Sequence, residues 1–265
     1  MDKSDRKNLL LFCFGTYTLL LLLLGISGLI AFLNAPVIYQ KIMNNICAWS
    51  PTFIVLIFYK KLLLGVSLKQ FLTTRLLERF KLVDLVNSMI LLIIASIIAI
   101  IAYIIIFRKT KSEIKLIEIR TLFPVVFIAI TSGPLGEELG WRGYALNILQ
   151  RNYTKNKSAI ILGLIWGFWH LPFWLMSGYS GLGLLEYSLL FLICTISISI
   201  IITYYCNKAK NITIAIVIHF IFNITLKIMY FNILQIFSII SIVYFIFALI
   251  IVCIKREMRE KKPLF

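Results

Sequence analysis

The chain is constrained above all by a succession of apolar runs, each near the roughly 20 residues that an α-helix needs to cross the hydrocarbon core of a bilayer. Eight can be read, at 9–33, 46–64, 88–107, 121–136, 158–177, 184–206, 212–229 and 233–254. A soluble protein of 265 residues would need a polar skin over them, yet 61% of the residues are hydrophobic and 14% charged. Soluble domains average roughly 45–50% and about 25%. The expected fold is therefore all-α: a polytopic membrane protein whose eight or so transmembrane helices form one bundle around a polar intramembrane site. The same composition excludes a disordered chain, which lacks apolar content. The five cysteines, Cys13, Cys47, Cys194, Cys206 and Cys253, form no CxxC pair and lie in or beside apolar runs. They read as small hydrophobes, neither a disulfide framework nor a ligand set.

The formal net charge of +16 would suit a nucleic-acid partner in a soluble protein. In a polytopic membrane protein it describes orientation, because Lys and Arg collect in cytoplasmic loops, and no nucleic acid is expected. The first run follows Lys3, Arg6 and Lys7 as a signal peptide would, but it far exceeds the apolar core of one, so a retained anchor is expected. With the N-terminus cytoplasmic and eight alternating spans, most basic residues fall inside. One loop dissents: Arg108, Lys109, Lys111, Lys115 and Arg120 fall outside, which calls for a re-entrant span nearby or a count off by one. Between the second and third runs, near 67–86, Leu68, Phe71, Leu72, Leu76, Phe80 and Val83 recur at helical spacing. That pattern suits an amphipathic helix in the headgroup region or a linker helix packed on the bundle. The expected setting is the cell membrane, with the lipid bilayer as surroundings.

Chemistry should reside in the ionisable residues inside spans, each costing about 2.5–3.5 kcal/mol at a helix centre. There are few. The two histidines, His170 and His219, lie within apolar runs, and Glu137, Glu138 and Arg142 follow directly on the fourth. Glu138 and Arg142 are four apart, a spacing that pairs them on one helix face, while Glu137 points about 100° away. Arg142 can hold one carboxylate ionised and leave the other as a proton acceptor; alone, the pair would equally serve as a structural cap. Pro172, two residues after His170, marks a break that opens space for water. His219 and Asn223 share a helix face. A lone histidine is more often a packing residue, but two with an acidic pair and an Asn describe a buried polar centre shared by three helices.

No Asp lies inside a span, since Asp2, Asp5 and Asp84 are all outside, which excludes an aspartyl intramembrane protease. There is no HExxH for a zincin-like site. Ser132-Gly133 faintly resembles a serine-type site, but Ile130 stands where that pattern has a glycine. Water activated by Glu and His remains, with or without a metal.

Three motifs carry a resemblance. Glu137-Glu138-Leu-Gly-Trp-Arg142 fits EExxxR, Trp166 to His170 fits FxxxH with Trp in place of Phe, and His219 to Asn223 fits HxxxN. In this order and at these separations, from about Glu118 to Asn223, the chain resembles the CAAX protease and bacteriocin-processing (CPBP) family of intramembrane proteases, related to the type 2 CAAX prenyl endopeptidase. The resemblance implies that Glu137, assisted by His170, activates a water. It implies that His219 and Asn223 stabilise the oxyanion and that Glu138 and Arg142 orient the site. Members are called metalloproteases, and Glu137, His170 and His219 would make an acceptable set for a divalent metal such as zinc; the same residues also support a metal-free scheme.

The expected organisation is one structural domain in three stretches. Residues 1–117 hold the N-terminal helices, 118–224 the CPBP-like catalytic core, and 225–265 the last helix and a basic tail. The expected function is an intramembrane endopeptidase acting on a peptide or protein at the membrane, such as a membrane-associated C-terminus or a bacteriocin precursor. Two other readings use the same residues: a non-catalytic membrane protein such as an immunity factor or scaffold, and a proton-coupled transporter.

Overall fold

A computed structural model describes residues 1–63, 65–110, 112–261 and 264. Leu64, the expected end of the second run, Lys111 of the dissenting loop and tail residues 262, 263 and 265 lie outside the described residues.

Among the described residues the architecture is helical throughout, with one isolated antiparallel bridge between Leu116 and Met229. The chain begins with α1 (Lys3–Phe32), whose first turn is closed by the Asp2 carboxylate accepting from the Ser4 amide. The second expected span is broken. Trp49 and Phe58 mark its corners, and it runs as α2 (Val37–Cys47), α3 (Ser50–Ile57) and the short α4 (Tyr59–Leu62). Pro51 starts α3 where its missing N–H costs nothing.

The amphipathic segment is α5 (Leu68–Leu76), capped by Ser67 accepting from Gln70. It is shorter than the 67–86 expected, because the chain leaves the helix at Leu77 and α6 (Leu82–Ile106) already begins at Leu82. Phe71 of α5 is buried, with Leu68 and Leu72 packed partly against the same core, while Leu77 beyond the helix is exposed.

The fourth span comprises α7 (Leu122–Thr131), α8 (Pro134–Gly140), one π turn at Trp141–Ala145 and α9 (Leu146–Asn152). Then follow α10 (Lys155–Trp169), α11 (Leu171–Leu175), α12 (Gly181–Ala209), α13 (Thr213–Thr225) and α14 (Ile233–Ile254). Five segments are long and apolar enough to cross a membrane: α1, α6, the composite 119–152, α12 and α14. The remaining expected spans exist as shorter or broken apolar helices, α13 among them.

α12 is the central post. Two thirds of its most apolar stretch is buried, against about a fifth for α1, and it packs on α10, α13 and α14. Lipid is as apolar as a leucine side chain, so helices in a bilayer associate through close packing and interhelical hydrogen bonds. Both are present. The Ser199 hydroxyl donates to the Ala159 carbonyl across α12 and α10 at 2.9 Å. Ser96 bonds Thr225 at 2.8 Å and Tyr244 at 3.1 Å, joining α6, α13 and α14.

The dissenting basic loop is placed by pairing. The Ile117 amide donates to Ile228 and the Tyr230 amide to Lys115, so the loop lies against the α13–α14 connection. The N-terminus lies at the other end, where Asp5 meets Arg151 and Asn152, and Lys155 meets Glu260 near the C-terminus.

Gly163 lets α10 and α12 approach. A methyl there would stand 2.7 Å from the Ile196 Cα, which is backbone and unable to yield. Gly163→Ala should therefore cost about 1–3 kcal/mol, the usual penalty of overpacking. Thermal unfolding of the purified protein in detergent checks this, and an unchanged midpoint would contradict the packing described.

Candidate active site

The site is built where two spans break. α7 ends at Thr131 and α8 restarts at Pro134, leaving Ser132 and Gly133 between them. A helix end strands its last carbonyls, and here α2 and its C-terminal flank answer: the Trp49 indole donates to the Thr131 carbonyl at 3.0 Å and Asn45 to the Thr131 hydroxyl at 2.8 Å. The second break falls at His170, which caps α10 and precedes α11 with Pro172 in its first turn, as the sequence predicts. The Trp166 carbonyl is one of those freed by that ending, and His170 Nδ1 lies 2.9 Å from it. A carbonyl only accepts, so Nδ1 carries the hydrogen and the lone pair of the neutral ring sits on Nε2.

Glu138 stands at the centre. One of its oxygens, Oε1, accepts from Arg142 Nη1 at 2.9 Å and from His219 Nδ1 at 2.8 Å. All three side chains are buried. The Arg142 guanidinium also lies over the Trp166 ring, 4.6 Å from its centroid, a face that attracts cations. The π turn that carries Arg142 releases backbone carbonyls from the ordinary helical ladder. Arg75 of α5 donates to Gly143 at 2.9 Å, and Asn147 donates to Gly143 at 3.1 Å and Arg142 at 3.3 Å. The amphipathic helix is thereby tied to the turn beneath the site.

Glu137 points elsewhere, as the sequence predicts. Its Oε2 accepts from the Trp166 indole at 2.5 Å, and its Oε1 faces Gly133. A methyl on Gly133 would lie 2.8 Å from Asn223 Nδ2, 3.3 Å from His219 Nε2 and 3.5 Å from Glu137 Oε1. Three polar atoms from α8 and α13 thus converge on one point at hydrogen-bonding range, kept open by the missing side chain. The backbone there is extended, so space alone requires glycine.

Two cavities flank the site, about 230 Å³ on the α12, α13 and α14 side and about 210 Å³ on the α2 side. Ser132, Glu137 and His170 line both. The first also holds His219, Asn223 and the apolar side chains Phe191, Phe222 and Phe237; the second is bounded by Asn44, Ala48 and Phe173. The six residues singled out from sequence, Glu137, Glu138, Arg142, His170, His219 and Asn223, thus occupy one region. His170 meets Glu137 only as a fellow wall of the cavities, its ring packed among Trp166, Trp169 and Phe191.

The residues named for a metal, Glu137, His170 and His219, do not stand as a preformed ligand set. Among the described residues no three His, Cys, Asp or Glu side chains stand together as a ligand set. The hydrogen bonds of His219 Nδ1, His170 Nδ1 and Glu137 Oε2 leave His219 Nε2, His170 Nε2 and Glu137 Oε1 as the atoms that would face a metal. The convergence beside Gly133 adds an amide N–H, which cannot ligate.

Sequence reasoning missed Gly133, Trp166, Arg75 and Asn147. Only Trp166 left a signal: it is the residue that departs from the FxxxH pattern, and the departure supplies the indole N–H that holds Glu137.

Residues 119–225 match the family described as Type II CAAX prenyl endopeptidase Rce1-like. A stretch of 106 residues is 36% identical to "CAAX prenyl protease 2" of Methanococcus maripaludis, covering 38% of this chain and 39% of that protein. The chain therefore matches about two fifths of the length of its curated relative. The family match contains all six residues of the site.

Trp166→Phe keeps the ring beneath Arg142 and removes only the donor to Glu137. If Glu137 is the working carboxylate, the turnover number should fall about tenfold with KM little changed, since one hydrogen bond to a charged group is lost. Steady-state kinetics on a peptide that the protein cleaves would show it.

Proposed function

With residues 119–225 belonging to the Rce1-like type II CAAX prenyl endopeptidases, we propose that the chain is an intramembrane endopeptidase that hydrolyses a peptide bond with a glutamate-activated water. The observation that carries this reading is the convergence of Glu137 Oε1, His219 Nε2 and Asn223 Nδ2 on the space beside Gly133. A general base and two hydrogen-bonding groups aimed at one point are what addition of water to a carbonyl requires.

The steps follow from the groups present. Glu137 Oε1 takes a proton from the water as its oxygen attacks the scissile carbonyl, and Trp166 holds the other oxygen so that the carboxylate cannot turn away. Negative charge develops on the carbonyl oxygen, where Asn223 Nδ2 and His219 Nε2 receive it. His219 can donate from Nε2 only as an imidazolium, because Nδ1 already bonds Glu138; the Glu138 carboxylate is placed to stabilise that cation. Collapse of the tetrahedral intermediate breaks the C–N bond, and the proton held by Glu137 passes to the departing amine. His170, with a free lone pair on Nε2 and a place in both cavities, assists the transfer of protons to and from water. No step uses a metal.

The substrate we infer is a peptide or protein held at the membrane, cut near a membrane-associated C-terminus or within a precursor such as that of a bacteriocin. The apolar walls of the larger cavity suit its side chains. The orientation we infer places the N-terminus and the basic residues around it on the cytoplasmic side, in line with the positive-inside rule.

Glu137→Ala or His170→Ala in the purified protein should remove cleavage, by about 100- to 10,000-fold for loss of a general base, with unfolding unchanged. Asn223→Ala should cost about 100- to 1000-fold. Equal cleavage by wild type and both of the first two variants would sink the reading. Gly133→Ala fills the reacting space with a methyl and should abolish turnover in a folded protein. Treatment with a strong zinc chelator should leave the rate unchanged. Loss of activity that added zinc restores would overturn the metal-free scheme while leaving the endopeptidase assignment in place.

A further inference from the structure

A groove of about 520 Å³ lies beside the larger catalytic cavity, between α7 and the α13–α14 connection. Val125 and Ile128 of α7 line one side of it, and Met229 and Phe231 the other. Leu226 and Lys227 belong to both spaces: they line this groove and also the cavity that holds Glu137, His219 and Asn223. A peptide that leaves the reacting space on this side must pass Lys227.

Lys227 extends a pattern already in use. His219, Asn223 and Lys227 follow one another at intervals of four, the spacing that sets side chains on one helix face. α13 ends at Thr225, but the Lys227 amide still donates to the Ile224 carbonyl, so the chain keeps turning through this position. Four residues advance about 6 Å along a helix axis, which an extended peptide covers in about two residues.

Charge makes the position selective. Among the described residues that line the catalytic cavity or the groove, Lys227 is the only Lys or Arg. The acids of the neighbouring loop are engaged elsewhere, Glu113 by Lys109 and Thr110, and Glu118 by Arg120. No carboxylate among the described residues pairs with Lys227. With Glu137 at one end of the path and Lys227 at the other, a negative group on a bound peptide is repelled by the first and drawn to the second.

We propose that Lys227 is a specificity-determining residue that binds a carboxylate of the substrate, at least about two residues from the scissile bond. The carboxylate is the free C-terminus of the peptide or an Asp or Glu side chain; an ammonium on a flexible four-carbon stem suits either. Resting on the endopeptidase reading, this assignment adds the chemistry by which the substrate is chosen. For a free C-terminus it also sets direction, with the released C-terminal piece on the groove side of the cavity.

The test separates binding from cleavage. The full chain carrying Glu137→Gln, purified in a neutral detergent, is offered a randomised apolar peptide library in three pools: free C-terminal acids, C-terminal amides, and amides with one internal Glu. Bound peptides are identified by mass spectrometry. Free acids should be enriched about tenfold over plain amides if the C-terminus is the ligand, the worth of one charge-assisted hydrogen bond, and the Glu-containing amides if a side chain is. Lys227→Gln should erase the enrichment, Lys227→Arg should keep it, and Lys227→Glu should turn it into depletion. A lysine with a merely structural role would, when replaced, lower all three pools together. No enrichment of either carboxylate pool, or the same enrichment in Lys227→Gln, would overturn the proposal. Cleavage of the same library by the chain with Glu137 intact reads the endopeptidase assignment separately: enrichment without products removes that assignment and leaves the carboxylate site, and products without enrichment do the reverse.

Discussion

One carboxylate oxygen carries the arrangement. Glu138 Oε1 is shared between Arg142, one helical turn along its own chain, and His219, on a helix 81 residues away. Neither Glu138 nor Arg142 could be buried alone, since an ion in low dielectric is tolerated only when paired and hydrogen-bonded. Joined, the three fix α8 against α13 at a set distance and rotation. That setting brings His219 Nε2 and Asn223 to face Glu137, and it sets Arg142 over the indole whose N–H holds Glu137. Removing Glu138 or Arg142 would leave a buried charge uncompensated, a loss of about 3–5 kcal/mol in comparable pairs. The Glu-Arg pair, which taken alone in the sequence would read as a cap, is here the joint of three helices.

The breaks in the helices follow from the same requirement. A continuous apolar helix offers a site no backbone-free space and no room for water. Interrupting α7 at Ser132-Gly133 and α10 at His170 creates that space at the level where the charged groups lie. Each interruption strands carbonyl groups, and each is met by a side chain: Trp49 at Thr131, His170 at Trp166, Arg75 and Asn147 at the π turn. The polar residues outside the motifs serve chiefly to make irregular backbone tolerable inside an apolar bundle.

The sequence was informative where physics penalises exceptions. Charged and imidazole side chains in apolar runs are rare because they are expensive, so Glu137, Glu138, Arg142, His170, His219 and Asn223 could be named before any coordinates. Their spacings also predicted the shared face of His219 and Asn223, the Glu138-Arg142 pair and the break at His170. Positions whose role lies in what they leave empty were illegible. Gly133 resembles any membrane-helix glycine until the atoms opposite it are known, and Arg75 looked like one more basic residue on an amphipathic segment. The second expected span failed for a related reason: hydropathy registers that 46–64 is apolar and is blind to the corners at Trp49 and Phe58, the first of which is held by its contact with the neighbouring break.

Under the proposed endopeptidase reading, the two chambers that share Ser132, Glu137 and His170 as a common wall have a kinetic consequence. In a pocket with one mouth, a bound peptide acts as a cork, and each turnover must wait for it to loosen before a fresh nucleophile can enter. A carboxylate reached from both faces needs no such pause: one face can stay wetted while the other is fully occupied. Hydrolysis of that kind inside an apolar bundle would become a question of keeping a back door hydrated, and Asn44 and Ser132 give the α2 side its polar lining.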